Sequence, residues 1–435
     1  MNRFLHTQSP ARIIAAGFAL AILLGSVLLI LPCSVQDGVD LQYIDALYTS
    51  TSAVCVTGLI AVDAGDTFTP LGQFFLAMLI QVGGLGVTAV GAGIIVAMGR
   101  KVDMKARSLI REAMNLDSGK GVILFVKSIF ITTVIFELTG AALSFLVFVQ
   151  DYPPLHAAGI SLFHSVAAFN NSGFDILGNF QNLIPYRDDV LLNLVTCGLI
   201  FFGGIGFLVI REMWSKRLHW KKFSMHAKVV LSMSLILIVV GTLLLKATED
   251  VTWLGALFHS VSARTAGFST YPLGNFSNAG LLVLTALMFV GASPGSTGGG
   301  IKTSTFLVLI KGIKSAATNQ SEKAFRYAIP TTAFRKAAVI TLLAAAVVVG
   351  GTWIFVVLEP DVTLMQALFE VTSAFGTVGV SAAGTPTLSP VSKATLIPMM
   401  YLGRVGPLTL ALALAHKSTA TQKHLRYPEE KIMIG

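Results

Sequence analysis

Ala46–Leu59 reads ALYTSTSAVCVTGL, and its pattern returns three times: SLFHSVAAFNNSGF over Ser161–Phe174, ALFHSVSARTAGF over Ala256–Phe268, and ALFEVTSAFGTVGV over Ala367–Val380. Each copy opens on Ala or Ser, Leu and an aromatic, then runs through small residues to a glycine. The spacing from aromatic to glycine is 10, 10, 9 and 10 residues: Tyr48 to Gly58, Phe163 to Gly173, Phe258 to Gly267, Phe369 to Gly379. A repeat of this kind decides the architecture before any single motif does.

The surroundings of the four copies set the class. Of 435 residues, 54% are hydrophobic and 12% charged, against about 25% charged in soluble domains. Such a chain cannot cover itself with polar surface in water, so it reads as an integral membrane protein among lipids. Apolar runs flank every copy: Ala11–Leu31, Phe74–Met98, Val122–Val149, Val190–Ile210, Val229–Leu245, Leu281–Ile313, Ala337–Leu358 and Thr395–Ala415. Most reach the roughly 17–25 residues that a membrane-crossing helix needs, which gives eight crossings. The first run lacks the short apolar core and small-residue cleavage site of a signal peptide.

Lys and Arg gather in Arg100–Lys120, Arg211–Lys228, Lys311–Lys336 and Lys417–Lys431, while the alternate connections are acidic (Asp37, Asp40, Asp45, Asp63, Asp66; Asp151, Asp175, Asp188, Asp189; Glu249, Asp250; Glu359, Asp361). The positive-inside rule then puts both termini in the cytoplasm. The net charge of +9 is accounted for by topology, without a nucleic-acid partner. The repeats divide the chain at 1–98, 99–213, 214–314 and 315–415, with a tail over 416–435.

Within each unit a half-helix too short to cross the membrane precedes a stretch that must leave helical geometry. Backbone of that kind is tolerated at membrane depth only when buried in protein or lining a watery path. Four copies around one axis would form rings of carbonyls able to replace an ion's hydration shell, as TVGYG loops do. The candidate ion-binding residues are Val54, Cys55, Val56, Thr57 and Gly58; Asn170, Asn171, Ser172 and Gly173; Arg264, Thr265, Ala266 and Gly267; and Gly376, Thr377, Val378 and Gly379. The ion is held by backbone carbonyls, with no side-chain metal site. The plainer alternative is four tight turns closing re-entrant hairpins; four copies in register speak for the rings.

Phe289–Phe306, FVGASPGSTGGGIKTSTF, comes within one residue of the phosphate loop G-x-x-x-x-G-K-[ST]. Ile301 displaces the lysine, a membrane span rather than a buried strand precedes the glycines, and no Walker-B acid stands in a matching context. The better comparison is with Gly83-Gly84-Leu85-Gly86, Gly203-Gly204-Ile205-Gly206 and Gly403-Arg404-Val405-Gly406, the glycine clusters midway along the other second helices. Each Gly costs a helix about 1 kcal/mol and Pro about 3 kcal/mol. Gly291, Ala292, Ser293, Pro294, Gly295, Ser296, Thr297, Gly298, Gly299 and Gly300 are therefore expected to form a loop below the filter, inside residues 291–302, that acts as a gate.

Arg404 is an ionisable residue at mid-span, which by default marks function. It faces the loop as part of the gate or forms an ion pair with Glu137, the other mid-span ionisable residue. Lys302 is a gate contact or a side chain snorkelling to the cytoplasmic edge. His164 and His259 occupy matching half-helix positions and read as packing residues. Arg264 and Glu370 read as braces behind the filters. Cys33, Cys55 and Cys197 show no metal spacing. A membrane enzyme would need clustered acids, histidines or a nucleophile, and none is visible.

The chain resembles the Trk/Ktr/HKT superfamily of potassium transporters, most closely the Ktr-type (NtpJ-like) membrane subunit, through TSAVCVTGL, FNNSGF, ARTAGFST, GASPGSTGGGIKTST, SAFGTVGVS, YLGRVGPLTL and the terminal RYPEEKIMIG. The resemblance implies an all-α membrane protein of four tandem M1–pore helix–M2 units around a pseudo-fourfold pore, usually a homodimer in the bacterial cytoplasmic membrane. A cytoplasmic ring of nucleotide-binding regulatory subunits would control it, so no cofactor is expected in this chain. The glycines matching Gly58, Gly173, Gly267 and Gly379 sit in the family's filter, where Ser at the first position goes with sodium permeation in plant members. Four glycines point to potassium; many Ktr-type systems are sodium-dependent. Trk-type relatives carry extra N-terminal helices, which this chain is expected to lack. The competing reading is an alternating-access symporter, which typically binds at the midplane between inverted rather than parallel repeats.

Overall fold

The computed structural model describes residues 9–97, 107, 108, 110, 111, 121–320 and 322–414. Arg100–Lys120 lies largely, and Lys417–Lys431 wholly, outside the described residues. Four units follow one another, each an outer helix (M1), a half-helix and an inner helix in two pieces (M2). The first unit is α1 (Pro10–Leu29), α2 (Tyr43–Val54), α3 (Pro70–Leu85) and α4 (Val87–Ala97). The second is α5 (Val122–Phe148), α6 (Pro154–Phe169), α7 (Val190–Ile205) and α8 (Phe207–Ser215). The third is α9 (Met225–Thr248), α10 (Trp253–Ser262), α11 (Asn278–Phe289) and α12 (Thr303–Thr318). The fourth is α13 (Thr331–Leu358), α14 (Leu364–Gly376), α15 (Pro390–Val405) and α16 (Pro407–Leu414). A two-stranded hairpin, β1 (Lys323–Ala324) with β2 (Tyr327–Ala328), is the sole sheet among the described residues.

Sequence explains where these helices begin. The four M2 helices start behind Thr69, Asp189, Ser277 and Ser389, whose side chains accept hydrogen bonds from the N–H groups of Gly72, Leu192, Gly280 and Ser392. Such caps satisfy donors that the first turn would leave orphaned. Two acids of the connecting segments serve these joints. Glu249, at the end of α9, accepts from the N–H and hydroxyl of Ser277, and Glu359, at the end of α13, accepts from the N–H of Ser389.

The four M1 helices run unbroken for 20, 27, 24 and 28 residues, and each is long and apolar enough to cross a membrane. The M2 helices are not continuous. α3 meets α4, and α7 meets α8, at bends of 99°. The joints are Gly86 (φ 85°) and Gly206 (φ 91°), with Gly406 (φ 91°) between α15 and α16. Each is the last glycine of its cluster and adopts a φ that costs glycine little. The third M2 has no such joint; it breaks over Val290–Lys302.

Units one and four close the ring. Lys393 of α15 pairs with Asp45 of α2 at 2.8 Å. The Tyr401 hydroxyl donates to Ala15 O at 2.6 Å, and Arg12 Nε donates to Ala413 O at 2.6 Å.

Candidate ion pathway and gate

Each half-helix ends on the same backbone figure. Val56, Asn171, Thr265 and Thr377 take left-handed φ of 57°, 57°, 76° and 50°, and Gly58, Gly173, Gly267 and Gly379, two residues on, take φ of 86°, 68°, 85° and 102°. A left-handed β-branched residue is a strained outlier, and this chain holds three of its four in equivalent places. The amides turn away from the axis. Thr57 N donates to Ser52 O at 2.7 Å, Ser172 N to Ala167 O at 2.8 Å, Ala266 N to Ser262 O at 2.9 Å and Val378 N to Ser373 O at 2.9 Å. Gly58 N and Gly379 N are held by the hydroxyls of Ser52 and Ser373. With their N–H groups bonded back to the half-helices, the carbonyls of Thr57, Ser172, Ala266 and Val378 stand against a glycine of the neighbouring unit.

The four stretches meet in cyclic order. A methyl group built on Gly58 would lie within 2.5 Å of Ser172 O, one on Gly173 of Ala266 O, one on Gly267 of Val378 O, and one on Gly379 of Thr57 O. Every glycine thus faces the next unit's carbonyl, and the fourth returns to the first. The half-helices also present their C-terminal, partially negative ends to this ring.

Five of the candidate positions stand behind this ring of contacts. Val54 is the last residue of α2, and its carbonyl rests against Gly83 of α3. Phe169 O and Phe375 O lie likewise against Gly203 and Gly403. Cys55, Asn170, Arg264 and Gly376 continue the helical turn, and the ring itself is built from the three residues that follow each.

Arg264 points backwards, its guanidinium donating to Ser234 O and Oγ of α9 at 3.3 Å. Glu370 accepts from the Thr385 hydroxyl in the segment beyond the fourth ring residue. His164 bonds Thr196 at 2.9 Å and packs edge-on against Phe268, and His259 lies 3.5 Å from the Thr270 hydroxyl. Among the described residues no group of three or more His, Cys, Asp or Glu could hold a metal.

Directly beneath the ring lies the loop Val290–Lys302, its ends pinned by a bridge between Val290 and Ile301. Ser293 N donates to Gly204 O at 3.0 Å, Thr297 N to Gly203 O at 3.2 Å, and Phe207 N to Gly295 O at 3.1 Å. These are the backbone groups that the break at Gly206 strands, so the loop satisfies them. The Thr297 hydroxyl donates to Phe169 O at 3.3 Å, and Gly299 N donates to the Thr377 hydroxyl at 3.0 Å.

The break in the first M2 is satisfied differently. Arg404 donates to Gly83 O and to Gly84 O (3.1 Å), and its other terminal nitrogen donates to Thr297 O of the loop. The alternative ion pair with Glu137 does not form; Glu137 accepts from Asn170 instead. Lys302 turns back onto the loop, donating to Gly298 O at 2.7 Å and Gly299 O at 3.2 Å, so it is a loop contact rather than a snorkelling residue. Below the loop opens a cavity of about 440 Å³, lined among others by Gly86, Ser296, Lys302, Arg404 and Thr409.

The class that this fold and site define is a membrane protein with four pore-loop units around one axis. The chain belongs to the TrkH family of cation transport proteins, whose pattern matches residues 8–423. That is a family of transporters, not of enzymes. The chain is 35% identical to the Ktr system potassium uptake protein D of Bacillus subtilis, covering all of this chain and 99% of that one. It is 34% identical to the potassium/sodium uptake protein NtpJ of Enterococcus hirae, covering 98% and 97%. The crystal structure of the potassium transporter TrkH from Vibrio parahaemolyticus superposes with a TM-score of 0.74 at 19% identity, covering 94% of this chain and 86% of that one; this likeness shows the fold.

Proposed function

We propose that the protein admits potassium across the cytoplasmic membrane through the ring formed by Val56–Gly58, Asn171–Gly173, Thr265–Gly267 and Thr377–Gly379. The cyclic contact of four glycines with four neighbouring carbonyls carries this reading. The ion would shed water onto those carbonyls and the helix ends behind them. The loop from Gly291 to Gly300, with Lys302 and Arg404, is the gate: its bonds reach units two and four, and Arg404 links it onward to unit one. Relatives named potassium uptake proteins of a Ktr system support both the ion and a partner subunit. That partner, a cytoplasmic nucleotide-binding ring, would dock on the basic face, with both termini on that side and two copies of this chain together. Sodium dependence fits the relative named for both ions.

The test is potassium or rubidium uptake in a host lacking its own potassium transport. Gly58→Ser or Gly379→Ser sets a side chain at φ 86° or 102° against a carbonyl, so K⁺/Na⁺ discrimination should drop about tenfold, the equivalent of about 1.4 kcal/mol. Unchanged discrimination in Ser variants of all four glycines would sink the filter assignment.

A further inference from the structure

Glu137 is the one member of its structural set that carries a charge. In each of the first three units a half-helix serine donates to an M1 carbonyl: Ser50 to Ile22 O at 2.7 Å, Ser165 to Glu137 O at 2.6 Å and Ser260 to Ile238 O at 2.8 Å. Three residues on, Gly25, Gly140 and Gly241 press on those serines, as Gly351 presses on Val371 in the fourth unit, which sets Val348 in the same place. Three aliphatic residues and one buried carboxyl thus share a station. The carboxyl is in the unit whose half-helix ends on Asn170, where the others have Cys55, Arg264 and Gly376.

The two exceptions touch. Asn170 Nδ2 donates to Glu137 Oε1 at 3.1 Å, to Gln81 Oε1 of α3 at 2.8 Å and to Val166 O at 2.9 Å. Asn170 is fully buried and its amide oxygen sits against Gly84, whose carbonyl Arg404 holds. Of the three acceptors, Val166 belongs to Asn170's own half-helix and Gln81 to unit one, so Glu137 is the one that ties the amide to the M1 helix of its own unit.

We infer that Glu137 is a positioning residue for ion selection: by fixing the Asn170 amide between units one and two, it sets where Asn171 and Ser172 stand in the ring. The inference rests on the filter reading above. The experiment measures the K⁺/Na⁺ uptake ratio, which the amount of folded protein does not move. Glu137→Ile, the residue of units one and three, should lower the ratio about tenfold, the scale of one lost buried hydrogen bond. Glu137→Gln, whose amide oxygen still accepts from Asn170, should keep most of it. Glu137→Ile combined with Asn170→Cys rebuilds the Ile22 and Cys55 pair of unit one and should restore it.

A wild-type ratio in Glu137→Ile, with Gly173→Ser impaired in parallel, overturns this inference and leaves the filter reading intact. A wild-type ratio in both overturns the two together. Loss in Glu137→Ile that the Asn170→Cys change does not repair also overturns it, since the carboxyl would then act through another group. Should Glu137→Ile fail to accumulate, Asn170→Asp reads the same link by opposing two carboxyls. Its ratio should fall and recover when Glu137→Gln is added; no recovery overturns the inference.

Discussion

Arg404 makes three hydrogen bonds, all to carbonyls of two different units, and no acid pairs with it among the described residues. Its guanidinium also lies 6.0 Å from the Phe18 ring centre. A planar fork can reach Thr297 O with one nitrogen and the Gly83 and Gly84 carbonyls with another; a lysine's single ammonium cannot. Arg404→Met should free the loop and strand three carbonyls. Charge-assisted bonds contribute about 1.5–3 kcal/mol each, so rubidium uptake by reconstituted vesicles without any partner should rise about tenfold or more. A fall in uptake with folded protein would contradict the role. Asp175 sets a second test at this scale. Burial, helped by nearby Asp63, pushes its carboxyl up to about 7 against hydrogen bonds from Leu177 and Asn182. A carboxyl raised in this way favours the fold in its neutral form, and that stability is lost as pH rises through about 7. The charge it offers cations at the outer mouth runs the other way, disappearing as external pH falls through the same value. Uptake at low potassium should therefore weaken by about a few-fold on acidification. Asp175→Asn should flatten the profile; an unchanged profile in that variant would assign the titration elsewhere.

The loop is the element whose form follows most directly from composition. Ten residues of mostly Gly, Ser and Thr with one Pro cannot hold a helix against the costs those residues impose, and the break falls where the glycines are. Deleting Ser293–Gly298 removes the groups that bond Gly203, Gly204, Phe207 and Arg404. Basal flux should rise and become independent of the regulatory partner, measured as rubidium uptake with and without it; reduced flux from a folded variant would contradict a gate. The other M2 helices were read as single spans with glycines at mid-length, and their breaks at Gly86, Gly206 and Gly406 came only with the structure. The bonding could not be read either. Gly203 O is satisfied by a residue more than ninety positions away, and a carbonyl carries no side-chain signature to announce its partner. Where each half-helix stops was hidden for a related reason: helix ends are uncertain by one or two residues from sequence, and Val54 and Gly376 both fall on the helical side. Glu137 stood out as an ionisable residue at mid-span, but its link to Asn170 needed the superposition of units to appear.

At the scale of the whole molecule the ring is held shut between its first and last units. The Lys393–Asp45 pair is largely buried, with side-chain exposures of 9% and 14%. Removing one partner of such a pair leaves an uncompensated charge, at a cost of about 3–5 kcal/mol. Lys393→Met should lower the thermal midpoint of the purified protein by several degrees. Asp45→Lys with Lys393→Asp should recover part of the loss, and equal midpoints in the wild type and Lys393→Met would show that the ring closes without the pair. The repeats made the fourfold order legible in advance. The tie between Asp45 and Lys393 was not, since surface charge of either sign looks alike in a sequence.

The single loop beneath the ring has a consequence of number. An object lying across a fourfold axis has room to occur once, and four identical subunits would each deliver a copy to the same space. Joining four unlike units in one polypeptide removes that conflict: three inner helices turn on a single glycine, and the third alone supplies a loop. Under the proposed gate, blocking is a one-to-one event between one segment and one passage, where four independent flaps would allow a graded series.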